Sequence, residues 1–183
     1  FVLACPHVGN FDLAGRVLGL MGLRALILAE PTPRVDYNYQ NRLRRQTGLN
    51  IQQISLESLR AAAEVLETGG SVLTGVDWPV GEARYQPRFF GIPSRLTTSH
   101  VRLAVKAGAP VTVVACHRKP DGKYTVVASD PIPMEMGKSI TDTILSNTET
   151  ILAIVEQYVR QNPEQWLLYY PVWNKEVALK AMG

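Results

Sequence analysis

The segment CPHVGNFD, residues 5–12, places a histidine and an acid in a turn-like stretch between two apolar runs. His7 and Asp12 are separated by four residues, and a chain that reverses between a strand and a helix can bring their side chains within hydrogen-bond reach. A carboxylate on one ring nitrogen fixes the tautomer of an imidazole, which leaves the other nitrogen to take a proton from a hydroxyl. The spacing therefore suggests that His7 is a general base and Asp12 its orienting partner.

The same segment also fits an ordinary turn between a strand and a helix. Asn10 is a good N-cap for the helix that follows, and Asp12 would then lie in the first turn, where the helix dipole favours a negative charge. Spacing alone leaves both interpretations open. In the catalytic one, the backbone N–H groups of Gly9 and Asn10, near the helix start, are candidate donors to a developing oxyanion.

Three further groups could contribute to a site. The cluster NRLRR, at 41–45, carries three arginines, which fit either a solvated helix face or bidentate binding of a phosphate. Asp77 ends the apolar run SVLTGVD and is either a site acid or the cap of a turn. The phenylalanines of RFFG, at 88–91, fit the protein core or the wall of an acyl-chain pocket.

The sequence does not contain the residue patterns typical of a metal site, a nucleophilic serine, a phosphate-binding loop or a disulfide framework. His100 and His117 have no cysteine or acid at metal-ligand spacing, so no metal site is predicted. The sequence contains neither a G-x-S-x-G nucleophile motif nor a glycine-rich loop of the phosphate-binding type. Cys5 and Cys116 lie in or beside apolar, strand-like segments, which favours reduced, buried thiols over a disulfide.

The elements that would position these residues alternate along the chain. Short apolar runs indicate strands, and stretches with apolar residues three and four apart indicate helices. The predicted strands are 1–4, 24–30, 50–55, 71–77, 111–118 and 123–130, and the predicted helices are 12–22, 35–48, 56–70, 98–107 and 139–161. This order predicts an α/β fold with a mostly parallel central sheet flanked by helices and a late antiparallel hairpin around the PDG turn. Sites in such sheets lie beyond the carboxyl ends of strands, where His7 and Asp77 are both predicted.

Bulk composition sets further bounds. With 183 residues and 46% hydrophobic content, residues 1–183 suit one globular domain. Nineteen basic residues against 16 acidic ones, with no basic run interleaved with aromatic residues, argue against nucleic acid as a partner. No apolar run is long enough to span a membrane. The chain opens inside an apolar strand pattern without a methionine, so we expect a missing N-terminal portion that would carry any membrane anchor.

Five blocks of the sequence, in order, resemble the bacterial lipid A biosynthesis acyltransferase family, a branch of the lysophospholipid and glycerolipid acyltransferases. The blocks are HVGNFD, RLRRQTG, VDWP with RFFGIPSRLTT, HVRLAVKAGAPVTVVACHRKPDGKY, and NPEQWLLYYPVW. Together they span nearly the whole chain.

The resemblance implies an enzyme that needs no cofactor and moves a fatty acyl group from a thioester donor to a hydroxyl of a membrane glycolipid, such as a lipid A precursor. The donor would be acyl carrier protein or coenzyme A, and the enzyme would work on the membrane surface at the cytoplasmic face of the inner membrane, as a peripheral protein or anchored through the missing segment. His7 would be the general base and Asp12 its partner. Arg45 would be the phosphate-side arginine, with Arg42 the alternative. The further substrate-binding positions are Gly9, Asn10, Asp77, Phe90 and Gly91.

Two other functions fit the same residues. A thioesterase would use the same histidine and acid to activate water in place of an acceptor hydroxyl. A non-catalytic domain would bind a lipid or phosphate without turnover.

Overall fold

The computed structural model describes residues 1–29, 35–81 and 83–174. In chain order its strands are β1 (Val2–Cys5), β2 (Ala25–Ala29), β3 (Asn50–Gln53), β4 (Ser71–Gly75), β5 (Arg88–Phe89), β6 (Ile92–Pro93), β7 (Val111–Arg118) and β8 (Tyr124–Ala128). Its helices are α1 (Phe11–Leu20), α2 (Val35–Arg45), α3 (Leu56–Glu67), α4 (Ser99–Ala107) and α5 (Ile140–Gln161), followed by a 3₁₀ turn at Pro163–Gln165.

Six strands form the central sheet in the order β3-β2-β4-β1-β7-β8. The first five are parallel, and β8 runs antiparallel to β7 across the predicted hairpin. In this register Val2 lies between Val72 of β4 and Val111 of β7. The arrangement confirms the predicted fold class. Strands β5 and β6 form a separate two-stranded hairpin, which the irregular sequence before α4 did not predict.

The two faces of the sheet are packed differently. Val2 and Ala4 of β1 are fully buried in the main core, together with residues of α3, α4 and α5. Because side chains alternate along a strand, Leu3 and Cys5 point to the other face, where both are only half-buried. Helix α1 packs there against α2 and β7. The lighter burial of this second face leaves room for a pocket.

Local signals explain where the helices begin and end. The Asn10 side chain accepts a hydrogen bond from the Leu13 N–H at 2.9 Å, which confirms the predicted N-cap and places Asp12 in the first turn of α1. Helix α2 ends at Arg45 rather than at the predicted 48, and the chain turns through Gly48, whose φ of +84° favours glycine.

His100 lies in the main core on α4, with no exposed surface. Within the part of the chain that the structure describes, neither of its ring nitrogens has a hydrogen-bond partner. Burial disfavours the charged imidazolium and lowers the pKa of His100 to about 4. His100 is therefore a neutral core side chain at physiological pH.

We expect His100 to make the fold acid-sensitive. Between the ordinary histidine pKa near 6.5 and the folded value of about 4, the unfolded state binds more protons, so the free energy of unfolding falls as the pH falls. The full loss is about 3 kcal/mol and is complete near pH 4. Urea unfolding of the parent and of His100→Leu between pH 7 and pH 4 measures this slope. Equal slopes in the two proteins would contradict the prediction.

Candidate active site

The loop that carries His7 leaves the sheet where β1 ends and packs closely against β7. At Gly9 the φ is +61°, and a Cβ there would lie 2.3 Å from the carbonyl oxygen of Cys116. Only glycine permits both this backbone conformation and this close approach. The glycine therefore fixes the path of the loop between His7 and the start of α1.

Asp77 is the hydrogen-bonding partner of the His7 ring. It lies just beyond the end of β4, is fully buried, and its Oδ1 is 2.6 Å from His7 Nδ1. The backbone N–H of His7 donates to Oδ2 of the same carboxylate at 2.9 Å. Because an ionised carboxylate only accepts, Nδ1 carries the hydrogen and Nε2 keeps its lone pair. Nε2 has no hydrogen-bond partner among the described residues, and the His7 side chain is 22% exposed.

The structure gives Asp12 a different partner from the one that its spacing predicted. Arg44 of α2 donates from Nε to Oδ1 of Asp12 at 2.6 Å, and its Nη2 binds the same oxygen. The reason is geometric: β1 and β4 are adjacent parallel strands, so their carboxyl ends bring His7 and Asp77 together, whereas the first turn of α1 faces α2. The predicted pairing of His7 with Asp12 is therefore replaced by a pairing with Asp77.

Opposing effects set the pKa of His7. Burial lowers it, but the hydrogen bond and negative charge of Asp77, with a smaller contribution from the charge of Asp12, outweigh burial and the opposing charge of Arg44. The net result is a pKa above the ordinary value of 6.5. His7 is thus a stronger base than a free imidazole, and its protonated form is stabilised where it stands.

Trp166 holds the other side of the Asp77 carboxylate. Its indole Nε1–H donates to Oδ2 of Asp77 at 2.8 Å. Its backbone forms an antiparallel bridge with Val8, and the next N–H, of Leu167, donates to the carbonyl of His7 at 2.8 Å. The segment after α5 therefore runs alongside the His7 loop and completes the site. Sequence reasoning missed this residue, because nothing near Trp166 in the chain indicates a contact with an acid 89 positions earlier.

The backbone donors predicted for an oxyanion are already engaged. The Gly9 N–H donates to the carbonyl of Gln165 at 2.8 Å. The Asn10 N–H faces the thiol of Cys116, whose pKa is raised because burial outweighs the effect of this N–H. In this structure Gly9 and Asn10 shape the loop and cap α1, and their N–H groups do not point freely into a site.

The RFFG segment also lies away from His7. Phe90 and Gly91 form the turn of the β5–β6 hairpin, where the Phe90 N–H donates to Glu156 of α5 at 2.6 Å and its ring lies under the guanidinium of Arg160. Neither residue lines the pocket described below. Phe89, by contrast, is fully buried and contacts the Trp166 ring edge-on, at 5.8 Å between centroids. The core interpretation of this segment is therefore the one that the geometry favours.

A pocket of about 360 Å³ opens beside His7, between α1 and the second face of the sheet. Its lining includes the polar side chains of Asp12, Gln40, Arg44 and Thr74. Aromatic rings surround the imidazole, with Phe11 at 4.9 Å and Trp78 at 5.7 Å between centroids. Much of the remaining wall is aliphatic and includes Leu18, Ile27, Leu49, Leu73 and Val114. This shape suits an alkyl chain whose polar end reaches the imidazole.

Of the arginine cluster, Arg44 alone lines this pocket. Asp12 and Asn41 hold it, the latter through its Oδ1 at 2.8 Å from Nη1. Arg45 is exposed and donates from Nη2 to the carbonyl of Ile51 at 3.2 Å, and Arg42 is exposed over the ring of Tyr39. The sequence predicted an arginine cluster in the site. Which of its arginines lines the pocket depends on how α2 is oriented in the fold.

Both cysteines are free thiols, as predicted, and both line the pocket. Burial, and to a lesser degree the charge of Asp77, raises the pKa of Cys5 to about 12. The reactive form of a cysteine is its thiolate. At neutral pH Cys5 is therefore protonated and is not an effective acyl-accepting nucleophile.

A buried acid that orients a histidine, at the end of an alkyl-sized pocket, is an arrangement suited to acyl transfer. Residues 1–175 match the model of the bacterial lipid A biosynthesis acyltransferase family. The chain belongs to this family and is an acyltransferase, which confirms the resemblance found in its sequence. A comparison with curated protein sequences gives no significant match. Among the described residues, no helix combines the length and apolar character needed to cross a membrane.

We expect Trp166→Phe to lower kcat about tenfold or more, with little change in the KM for the acyl donor. The substitution keeps an aromatic ring but removes the N–H that holds Asp77, and hydrogen bonds to charged groups contribute about 1.5–3 kcal/mol. The measurement is steady-state transfer of a long-chain acyl group from its donor to a lipid acceptor.

Trp173→Phe is the matched control for this prediction. Trp173 stacks on Phe89 and donates its N–H to the Phe89 carbonyl at 3.1 Å, so the same atoms are lost from the same aromatic cluster without a contact to Asp77. Its kcat should stay near the parental value. Equal losses in the two variants would assign the effect to the cluster rather than to the carboxylate.

Proposed function

We propose that this protein transfers a fatty acyl group from a thioester donor, carried on acyl carrier protein or coenzyme A, to a hydroxyl of a membrane glycolipid of the lipid A precursor type. The observation that carries the proposal is the His7–Asp77 pair beside the largely apolar pocket. The pair supplies a base with a fixed tautomer, and the pocket supplies space for an acyl chain. Family membership supports a lipid as acceptor.

In the proposed step, Nε2 of His7 takes the proton of the acceptor hydroxyl as its oxygen attacks the thioester carbonyl. The new C–O bond forms, the C–S bond breaks, and the departing thiolate recovers the proton from the imidazolium. Asp77 stays ionised and stabilises the imidazolium throughout. The raised pKa of Cys5 supports direct transfer without an acyl-enzyme on that thiol.

The oxyanion of the tetrahedral intermediate needs donors other than Gly9. The N–H of Leu13 is taken by the Asn10 cap, so the first-turn groups best suited are the N–H groups of Phe11 and Asp12. Both residues line the pocket at the positive end of the α1 dipole. We assign the oxyanion to these two groups.

An anionic group on the acceptor would be met by Arg44. It lies in the pocket wall, and a phosphate there would share the guanidinium with Asp12 and Asn41, which already accept its hydrogen bonds. Asp12 then serves to hold Arg44 in place. Arg45 and Arg42, proposed for this role from the sequence, would have to leave Ile51 and Tyr39 to reach the same group.

Water is the competing acceptor, because the His7 side chain is partly exposed. Hydrolysis of the thioester by the same pair would make the protein a thioesterase. The two functions leave different products, an acylated lipid or a free fatty acid, so one assay distinguishes them.

The test is to incubate the protein with acyl thioesters and total bacterial lipid and to identify by mass the lipid that gains an acyl group. We expect His7→Ala and Asp77→Asn each to lower kcat at least about 100-fold, and the double variant to be hardly worse, because the two residues act as one unit. Asp121→Asn is a control, since this exposed acid lies on the β7–β8 turn.

The pH profile adds a second readout. His7 must be neutral to act as a base, and its pKa is raised, so kcat/KM should rise with pH through a midpoint above 6.5. Asp77→Asn removes the charge that raises the pKa, and the midpoint of its residual activity should move to lower pH. Free fatty acid without acylated lipid would favour the thioesterase, and parental activity in His7→Ala would refute the mechanism.

The outer face of α1 supports contact with a bilayer. Leu13, Val17 and Leu20 of α1 and its C-cap Met21 are exposed along this face, and the opposite side of the helix lines the pocket. Apolar side chains that enter the headgroup boundary bind in proportion to the area they bury, and a net charge of only +3 adds little attraction to anionic lipid. We therefore propose weak membrane binding through this surface.

We expect Leu20→Ser with Met21→Ser to weaken co-sedimentation with anionic vesicles about fivefold or more, because two exposed apolar side chains are lost. Met136→Ser with Ile140→Ser is the matched control. Met136 and Ile140 are also exposed, but α5, which begins at Ile140, packs on the other face of the sheet. Equal losses in both pairs would rule out α1 as the contact surface.

A further inference from the structure

Gly15 occupies the middle of α1, where glycine is unfavourable. It is the fifth residue of a ten-residue helix, and glycine destabilises a helix interior relative to alanine. Its φ is not in the left-handed region, unlike that of Gly9 or Gly22. The backbone at this position therefore does not call for glycine.

Close packing does not call for it either. A Cβ built at Gly15 meets no atom within 4 Å, whereas a Cβ at Gly19, one turn further on, would lie 2.8 Å from the carbonyl oxygen of Thr47. The glycine at 19 thus lets α1 approach the segment after α2. The glycine at 15 instead leaves space unfilled.

That space belongs to the pocket beside His7. Gly15 lines the pocket on the same face of α1 as Phe11 and Leu18, and the sheet contributes Leu73 to the facing wall. At a rise of about 1.5 Å per residue, Gly15 lies about 6 Å along the helix axis from Phe11, which touches the His7 ring. A side chain at 15 would project into the pocket beyond its catalytic end.

We propose that Gly15 is a specificity-determining residue, whose missing side chain lets the distal part of a long acyl chain occupy the pocket. The proposal rests on the proposed acyl-transfer function. A short chain would end before the level of Gly15, whereas a long one would pass it. Leu18, on the same helix face, and Leu73, on the facing wall, are both aliphatic, so a hydrocarbon chain fits this space better than a polar group does.

The test is a comparison of kcat/KM for butanoyl, dodecanoyl and hexadecanoyl thioesters in the parent, Gly15→Ala and Gly15→Leu. Extra methylenes in an apolar space that the acyl chain must fill should weaken binding of a long chain about tenfold or more. Gly15→Leu should therefore lower the hexadecanoyl-to-butanoyl ratio of kcat/KM at least about tenfold, with Gly15→Ala between it and the parent. A loss that is equal for all three chain lengths, or an unchanged ratio, would overturn the proposal.

Two controls separate specificity from folding. Ala153→Leu adds the same leucine side chain at an exposed position of α5, away from the pocket, and should leave the ratio unchanged. Gly15→Ala should raise Tm by about 2–4 °C, since it improves the helix and meets no clash. A lower Tm in Gly15→Ala would mean that the space is not open, and would contradict the proposal.

A binding measurement distinguishes failure of this proposal from failure of the proposed function. If the parent shows no transfer, calorimetric titration of the parent, Gly15→Leu and Ala153→Leu with hexadecanoate replaces turnover. Selective loss of hexadecanoate binding in Gly15→Leu would support the role of Gly15 while the transfer function fails. If hexadecanoate does not bind the parent, the pocket is not an acyl site and the proposal is wrong.

Discussion

The buried carboxylate of Asp77 is the constraint on which the site depends. It has no exposed surface, and it accepts hydrogen bonds from the His7 backbone, the His7 ring and the Trp166 indole. A buried charge that loses its partners destabilises a protein by several kcal/mol. The fold must therefore bring the end of β1, the end of β4 and the segment after α5 to one point.

The sheet and the segment after α5 together bring these groups to Asp77. Parallel pairing of β1 with β4 sets His7 beside Asp77, and the bridge between Val8 and Trp166 closes the third side. The RFFG segment contributes indirectly, because Phe89 supports the ring of Trp166. The opposite side of the imidazole is left to the pocket, where Phe11 and Trp78 surround it. Buried polar groups and an open apolar space thus meet at a single side chain.

Periodicity and capping residues predicted most of this fold, because they are local properties of the chain. The strands, the helices and the Asn10 cap follow from residues near each other, and the carboxyl-end rule placed His7 and Asp77 at one edge of the sheet. The partner of His7 did not follow, because a four-residue separation within a loop says nothing of which way each side chain turns. Asp12 turns to Arg44 instead.

Other features could not be predicted from the sequence either, because they depend on how separate elements pack together. Which arginine of NRLRR lines the pocket depends on the rotation of α2 against α1, and the neighbours differ by only one position along the chain. The role of Trp166 depends on a contact between distant segments. From the sequence alone, Gly15 predicts only a less stable helix. The role proposed for it in acyl-chain specificity depends on the open space where its Cβ would be.

The three-sided enclosure of Asp77 also sets an order of assembly during synthesis. Residues 7 and 77 leave the ribosome long before residue 166, so the nascent chain holds a carboxylate that lacks its indole donor and a loop that lacks its bridging strand. Much of the sheet can pair in that interval, since its last strand ends at Ala128. All the contacts that hold the His7–Asp77 pair in this structure can therefore form only when translation has passed α5. In this protein, the strands of the sheet can therefore pair before the hydrogen bonds around Asp77 are complete.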